Sequence, residues 1–249
     1  MAKNGVALEL KNIQKAFGEK IVHRGVNLTL NYGEILGLFG GSGTGKSVIL
    51  RSIIGLEKPD QGEILFEGRD LTKLREREMF KVRTEIGYVF QNGALFDSLN
   101  VEENISYPLQ EHTKLNRAQI LEKVNEMLEL IDMKGSNELL PGELSGGMQK
   151  RAGLARAIIL EPKVILFDEP TAGLDPVNTQ RLIANVLKLK QKGITGIFVT
   201  HDIPSALEIC DRIAILYEGK IYVNDTVENI KHSTDKLVQS FVHGSVHEN

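Results

Sequence analysis

A single cysteine, Cys210, stands in 249 residues. That excludes an internal disulfide and a cysteine-based metal site, and leaves a small buried side chain as its ordinary reading. No apolar run approaches the roughly 20 residues that a membrane-spanning helix needs, and the N-terminus lacks a leader pattern. Any membrane association is therefore expected to come through a partner. Nor is there an excess of one charge: 30 Lys and Arg against 33 Asp and Glu leave a formal charge of -3, so no broad nucleic-acid footprint is expected. The basic stretch 69–83 is interleaved with Asp70, Glu76 and Glu78, which reads as a solvated mixed-charge face rather than a binding patch. Internal repeats and low-complexity linkers are absent as well. What remains is a chain long enough to bury a sizeable core as one domain with an insertion.

Against that plain background one segment is chemically specific. Gly40-Gly41-Ser42-Gly43-Thr44-Gly45-Lys46-Ser47 fits G-x-x-x-x-G-K-[ST]. It follows the apolar strand candidate 35–39 and precedes the helical stretch 47–54, which is the context its mechanism requires. Glycines let the backbone wrap an anion, aiming N–H groups and a helix N-terminus at phosphates. Lys46 would reach the β- and γ-phosphates, and Ser47 would offer a hydroxyl to Mg²⁺. A chance Gly/Ser turn is the alternative, and strand, loop, Lys-Ser and helix together argue against it.

A second run, 164–167, is continuously apolar and reads as a strand buried on both faces of a parallel sheet. It ends in Asp168 and Glu169, delivered at the sheet edge where open α/β sheets bind ligands. Asp168 would hold Mg²⁺, which needs few carboxylates because it keeps several waters. Glu169 would orient or deprotonate an attacking water. Further strands are expected near 6–10, 26–30, 63–66, 86–90, 197–200, 213–217 and 220–223. Helical spacing marks 117–131 and 180–191, and the tail from about 232 carries no strong signal of either kind.

Between the two phosphate elements lies Leu144-Ser145-Gly146-Gly147-Met148, and in this order the three resemble the ATP-binding subunits of ABC transporters over nearly the whole chain. The resemblance implies an α/β fold: a P-loop NTPase ABC cassette with a RecA-like core, an antiparallel β part and an inserted helical subdomain. The expected boundaries within one domain, 1–249, are core 1–93 and 162–231, insertion 94–161, and tail 232–249. It further implies that Ser145, Gly146 and Gly147 cap the γ-phosphate held by the loop of a second copy. Their hydroxyl, N–H groups and helix dipole suit that task. Met148 replaces the commoner Gln, a departure tolerable where backbone and Ser145 do the phosphate work. Gln91 matches the glutamine that contacts Mg²⁺ and the attacking water, and His201 the histidine at the γ-phosphate. Asp175 matches the loop that communicates across the dimer. Phe17 precedes Lys46 by the interval of the adenine-stacking aromatic, a contact worth about 1–3 kcal/mol.

Residues 90–101 and 107–113, with Met148, are similar to the ATPases of Mla-type phospholipid transport systems, which work with MCE-domain proteins. The implied function is the ATP-hydrolysing motor subunit of a membrane transporter, moving phospholipids for outer-membrane lipid homeostasis. Its cofactors would be ATP and Mg²⁺. Its partners would be a second copy, an integral membrane permease, an MCE-domain protein and a small accessory subunit, at the cytoplasmic face of the inner membrane. Another transported substrate, or a soluble assembly ATPase of the iron–sulfur type, stays open. Nucleic-acid-acting members fit poorly, since those of chromosome type separate phosphate loop and signature by a long coiled coil and translation factors carry two cassettes.

Overall fold

The computed structural model describes residues 5–242. Two sheets organise them. The first is antiparallel: β1 (Val6–Phe17), β2 (Lys20–Asn31), β4 (Gln61–Phe66) and β5 (Arg69–Asp70), in the order β2-β1-β4-β5. The second has six strands: β3 (Ile35–Phe39), β6 (Ile86–Val89), β7 (Val164–Asp168), β8 (Gly196–Val199), β9 (Arg212–Tyr217) and β10 (Lys220–Thr226), in the order β10-β9-β3-β8-β7-β6. Its strands pair in parallel except β10 with β9.

Burial explains the assignment. Every residue of β3, β7 and β8 is buried, as strands covered on both faces require. Alternation then sorts their side chains. Leu36, Leu38, Val164, Leu166, Ile197 and Val199 join a core shared with the first sheet, whereas Ile35, Phe39, Ile165, Phe167 and Phe198 face the other way. Helix α1 (Lys46–Ile53) fills the first core with Ile49, Leu50 and Ile53. The segment expected to be a solvated mixed-charge face holds β5 and a helix, α2 (Glu76–Glu85), anchored by Met79 and Val82.

A third apolar cluster belongs to α3 (Val101–His112), α4 (Arg117–Leu130) and α5 (Gly146–Ile158), which share Val101, Ile105, Val124, Leu128, Ala152 and Ala155. The opposite face of the large sheet is covered by α6 (Pro176–Gln191) and α7 (Ile203–Ile209). The last described elements are α8 (Val227–Lys231) and α9 (Lys236–Val242). The tail thus departs from expectation: α9 is helical as far as Val242, with Val238 and Phe241 seated in the second core. Seven residues are too short for a periodic signal, and burial of these two supplies what local propensity does not. The part of the expected tail at 243–249 lies outside the described residues. No helix among those described is long and apolar enough to cross a membrane.

Candidate active site

Parallel pairing brings the C-terminal ends of β3, β6, β7 and β8 to one edge of the large sheet, where open α/β sheets bind ligands. The 40–47 loop leaves β3 there and runs into α1. At Gly45, which caps α1, φ is 99°, and an added Cβ would sit 2.3 Å from Val22 Cγ1 and 2.6 Å from His23 Nε2. Only glycine fits that turn. At Gly40 a Cβ would come within 2.6 Å of the Leu216 carbonyl, so the strand end is equally closed to side chains.

The Lys46 ammonium curls back over this loop, donating to the carbonyls of Gly40 and Gly41 at 2.9 and 3.0 Å. Burial lowers its pKa, and the Glu169 and Asp168 carboxylates act against that shift. Ser47 Oγ donates to Asp168 Oδ1 at 2.6 Å. The carboxylate's other oxygen accepts a 2.7 Å bond from the Tyr88 hydroxyl. Burial, then the neighbouring carboxylate, raises the Tyr88 pKa, which keeps that hydroxyl a donor.

Glu169 follows with φ of 49°, a conformation that costs a residue with a side chain about 1–2 kcal/mol. It is held by its own N–H donating to Val199 O at 3.0 Å and by His201 N–H donating to Oε2 at 3.1 Å. His201 Nε2 lies 2.9 Å from the buried Oε1, at ion-pair distance, and no hydrogen bond is completed at that oxygen. A strained, buried carboxylate with one oxygen that completes no hydrogen bond is suited to holding a water beside His201. The His201 side chain itself is exposed.

The other expected residues divide into two groups. Phe17 is 45% exposed at the end of β1, with the Lys15 ammonium 4.9 Å from its ring centroid, which leaves a face open for stacking. Gln91 is exposed just beyond β6, and among the described residues it forms no hydrogen bond with Asp168 or Glu169. Ser145 caps α5, accepting from Met148 N at 3.3 Å, and Asp175 caps α6, accepting from Asn178 N at 2.9 Å. These caps form one block: Lys150 donates to the Ala172 carbonyl, and Gly147 lies against Asn178, where a Cβ would meet its side chain at 2.5 Å. Among the described residues no hydrogen bond joins this block to the phosphate loop. Lys46 spends its hydrogen bonds on Gly40 and Gly41, and none among the described residues goes to Ser145, Gly146 or Gly147.

Two residues escaped the sequence reading. His23 is fully buried under the loop, with Nε2 3.1 Å from Gly45 O and Nδ1 unpartnered, and burial lowers its pKa. Tyr88 was visible only as the polar member of an apolar run. A buried phenol demands a partner, and that was the available signal.

Oxygen donors in contact, Ser47 Oγ and Asp168 Oδ1, suit a hard divalent cation. Among the described residues no group of three or more His, Cys, Asp or Glu forms a self-contained metal site. A cation here would lean on substrate oxygens, as Mg²⁺ does with phosphates.

Known proteins resemble this chain over most of its length. The family model described as "ABC transporter" matches residues 23–172. The probable ribonucleotide transport ATP-binding protein mkl of Mycobacterium leprae is 41% identical over 96% of this chain and 70% of its own. The intermembrane phospholipid transport system ATP-binding protein MlaF of Haemophilus influenzae is 38% identical over 95% of this chain and 90% of its own. Among solved structures, the dimeric MJ0796, a bacterial ABC transporter cassette, superposes with a TM-score of 0.82 at 32% identity, covering 88% of this chain and 98% of that one.

Proposed function

The chain belongs to the ABC transporter family as an ATP-hydrolysing subunit that drives a transporter, and we propose that its cargo is phospholipid. The observation that carries this reading is the 38% identity with the MlaF protein, which extends over nine-tenths of that relative. A second reading has its own support, since the mkl relatives, named for ribonucleotide transport, are 41% identical. Copurification of the chain with its membrane subunit, followed by mass spectrometry of what the complex holds, decides between them. Bound phospholipid supports the first reading, and ribonucleotide without lipid overturns it.

In this proposal two copies close face to face around two ATP molecules. The loop 40–47 of one copy and Ser145, Gly146 and Gly147 of the other would enclose each triphosphate, in keeping with a signature block that makes no hydrogen bond to Lys46 among the described residues. The dimeric structure of the MJ0796 cassette supports the pairing of two copies. Phe17 would stack on adenine, and Lys46 would exchange its bonds to Gly40 and Gly41 for β- and γ-phosphate oxygens. Ser47, Asp168 and Gln91 would hold Mg²⁺, which supplies neutralisation of charge on those oxygens. Glu169 takes the role of orienting water through Oε1 and accepting its proton, while His201 and Asp175 meet the γ-phosphate side and the partner copy. Positioning and charge stabilisation suffice for phosphoryl transfer, so the chain needs no covalent intermediate.

Residues 94–161 are read as the inserted subdomain, with core 1–93 and 162–231 around it. Between the core and α3 lies a groove of about 420 Å³ lined by Leu56, Phe80, Phe90, Pro108 and His112. Phe80 is 60% and Leu56 56% exposed, an apolar patch that suits an amphipathic cytoplasmic helix of the membrane subunit. Leu95, by contrast, packs on the α3–α5 core, and Phe96 stacks on Tyr107 and under Arg156. Location follows from the partner: the subunit would sit on the cytoplasmic face of the inner membrane through the permease, with an MCE-domain protein and a small accessory subunit completing the complex.

A further inference from the structure

Asp168 is gripped from two sides. Ser47 Oγ donates to Oδ1 at 2.6 Å and Tyr88 Oη to Oδ2 at 2.7 Å, and the carboxylate accepts no third side-chain bond among the described residues. Once Ser47 turns to a metal ion or phosphate, Tyr88 is the donor left to fix the carboxylate's plane. The Arg51 side chain, on α1, also faces that hydroxyl. Ligating carboxylates depend on such outer partners for orientation and basicity.

The same tyrosine has a second neighbour. Its ring lies 4.4 Å, centroid to centroid, from that of Phe90, and both rings line the apolar groove between core and α3. One side chain therefore spans from the groove wall to the buried carboxylate, over the length of a single phenol. A body seated in the groove that shifts the ring pair also shifts the hydroxyl, because packed rings transmit displacement rather than absorb it.

We propose that Tyr88 is the positioning residue of Asp168 and that, through the Tyr88–Phe90 ring pair, it reports occupancy of the groove by the membrane subunit to the ATP site. The coupling half rests on reading that groove as the docking site. The half concerning Asp168 does not.

Tyr88→Phe keeps the ring and deletes the hydroxyl, and Tyr88→Leu deletes both. Each is compared with wild type as the full chain alone and in complex with the membrane subunit. Circular dichroism first establishes that the variants fold. A fluorescent ATP analogue is then titrated with and without magnesium, and hydrolysis is measured with and without the membrane subunit. For Tyr88→Phe we expect unchanged metal-free binding, a loss of about 10- to 100-fold in magnesium-dependent affinity or turnover, unchanged copurification, and a stimulation ratio that falls toward one. Wild-type magnesium dependence in Tyr88→Phe, with defects in Tyr88→Leu alone, would reduce the residue to ring packing and overturn the proposal. A magnesium shift with a wild-type stimulation ratio would overturn the coupling half. If wild-type chain neither copurifies with nor is stimulated by the membrane subunit, the transport reading fails, and the magnesium titration still decides the role toward Asp168.

Discussion

Replacing Glu169 with Gln keeps the side chain's size and one carbonyl oxygen that can still accept from His201 N–H, now 3.1 Å from Oε2. What it removes is the negative charge at Oε1, the buried oxygen 2.9 Å from His201 Nε2 at which no hydrogen bond is completed. Loss of a general base typically costs about 10²- to 10⁴-fold, which is about 2.7–5.4 kcal/mol of barrier at about 1.36 kcal/mol per decade. The fold should not suffer in proportion. A carboxylate only 8% exposed carries a desolvation cost that a neutral amide avoids, and the backbone bonds at residue 169 remain. ATP binding should also persist, since Glu169 bonds no atom of the phosphate loop. The assay is phosphate release under saturating ATP, run beside calorimetric ATP binding and thermal melting. Turnover within about threefold of wild type, with ATP bound normally, would remove Glu169 from its role. A turnover loss that tracks a collapse in melting temperature would assign the defect to the fold.

Lys46→Ala deletes the ammonium that bridges Gly40 and Gly41, so calorimetry should show weakened ATP affinity, unlike the Glu169 variant; equal, unchanged affinities in the two would refute the assignment. In a mixed dimer with Ser145→Arg on one chain and Lys46→Ala on its partner, both defects fall in one composite site, and about one ATP per dimer should bind normally. Placing both on one chain should damage both sites, and equal stoichiometry in the two arrangements would contradict completion in trans. His23, buried with its pKa lowered, binds fewer protons folded than unfolded, so its contribution is whole above the unfolded value of about 6.5 and is lost as pH drops from there toward the folded value. Melting temperatures from pH 8 to pH 5 should fall less steeply in His23→Gln, and identical slopes would exclude His23 as a source of acid sensitivity.

Much of this was readable from residue order, for physical reasons that differ from element to element. The strands β3 and β7 declare themselves because strands buried on both faces are apolar throughout, and Lys46, Ser47, Asp168 and Glu169 follow from what leaves their ends. Helix α2 did not, because only Met79 and Val82 face inward from a run of charges, and two positions make no periodicity. The hold of Tyr88 on Asp168 and the place of His23 beneath Gly45 are contacts across 80 and 22 residues, set by packing rather than by any local pattern. Gln91 is a different case. Its place beyond β6 was legible, but its side chain is exposed in the free chain, and the role proposed for it depends on closure around nucleotide.

The central claim is that ATP hydrolysis by this chain moves phospholipid through a membrane partner. It is tested most directly in liposomes holding the reconstituted complex, by measuring phosphate release and transfer of a labelled phospholipid in parallel. Transfer should require ATP and stop with phosphate release in Glu169→Gln. Lipid transfer that proceeds unchanged in that variant, or ATP turnover that moves ribonucleotide and no lipid, would contradict it.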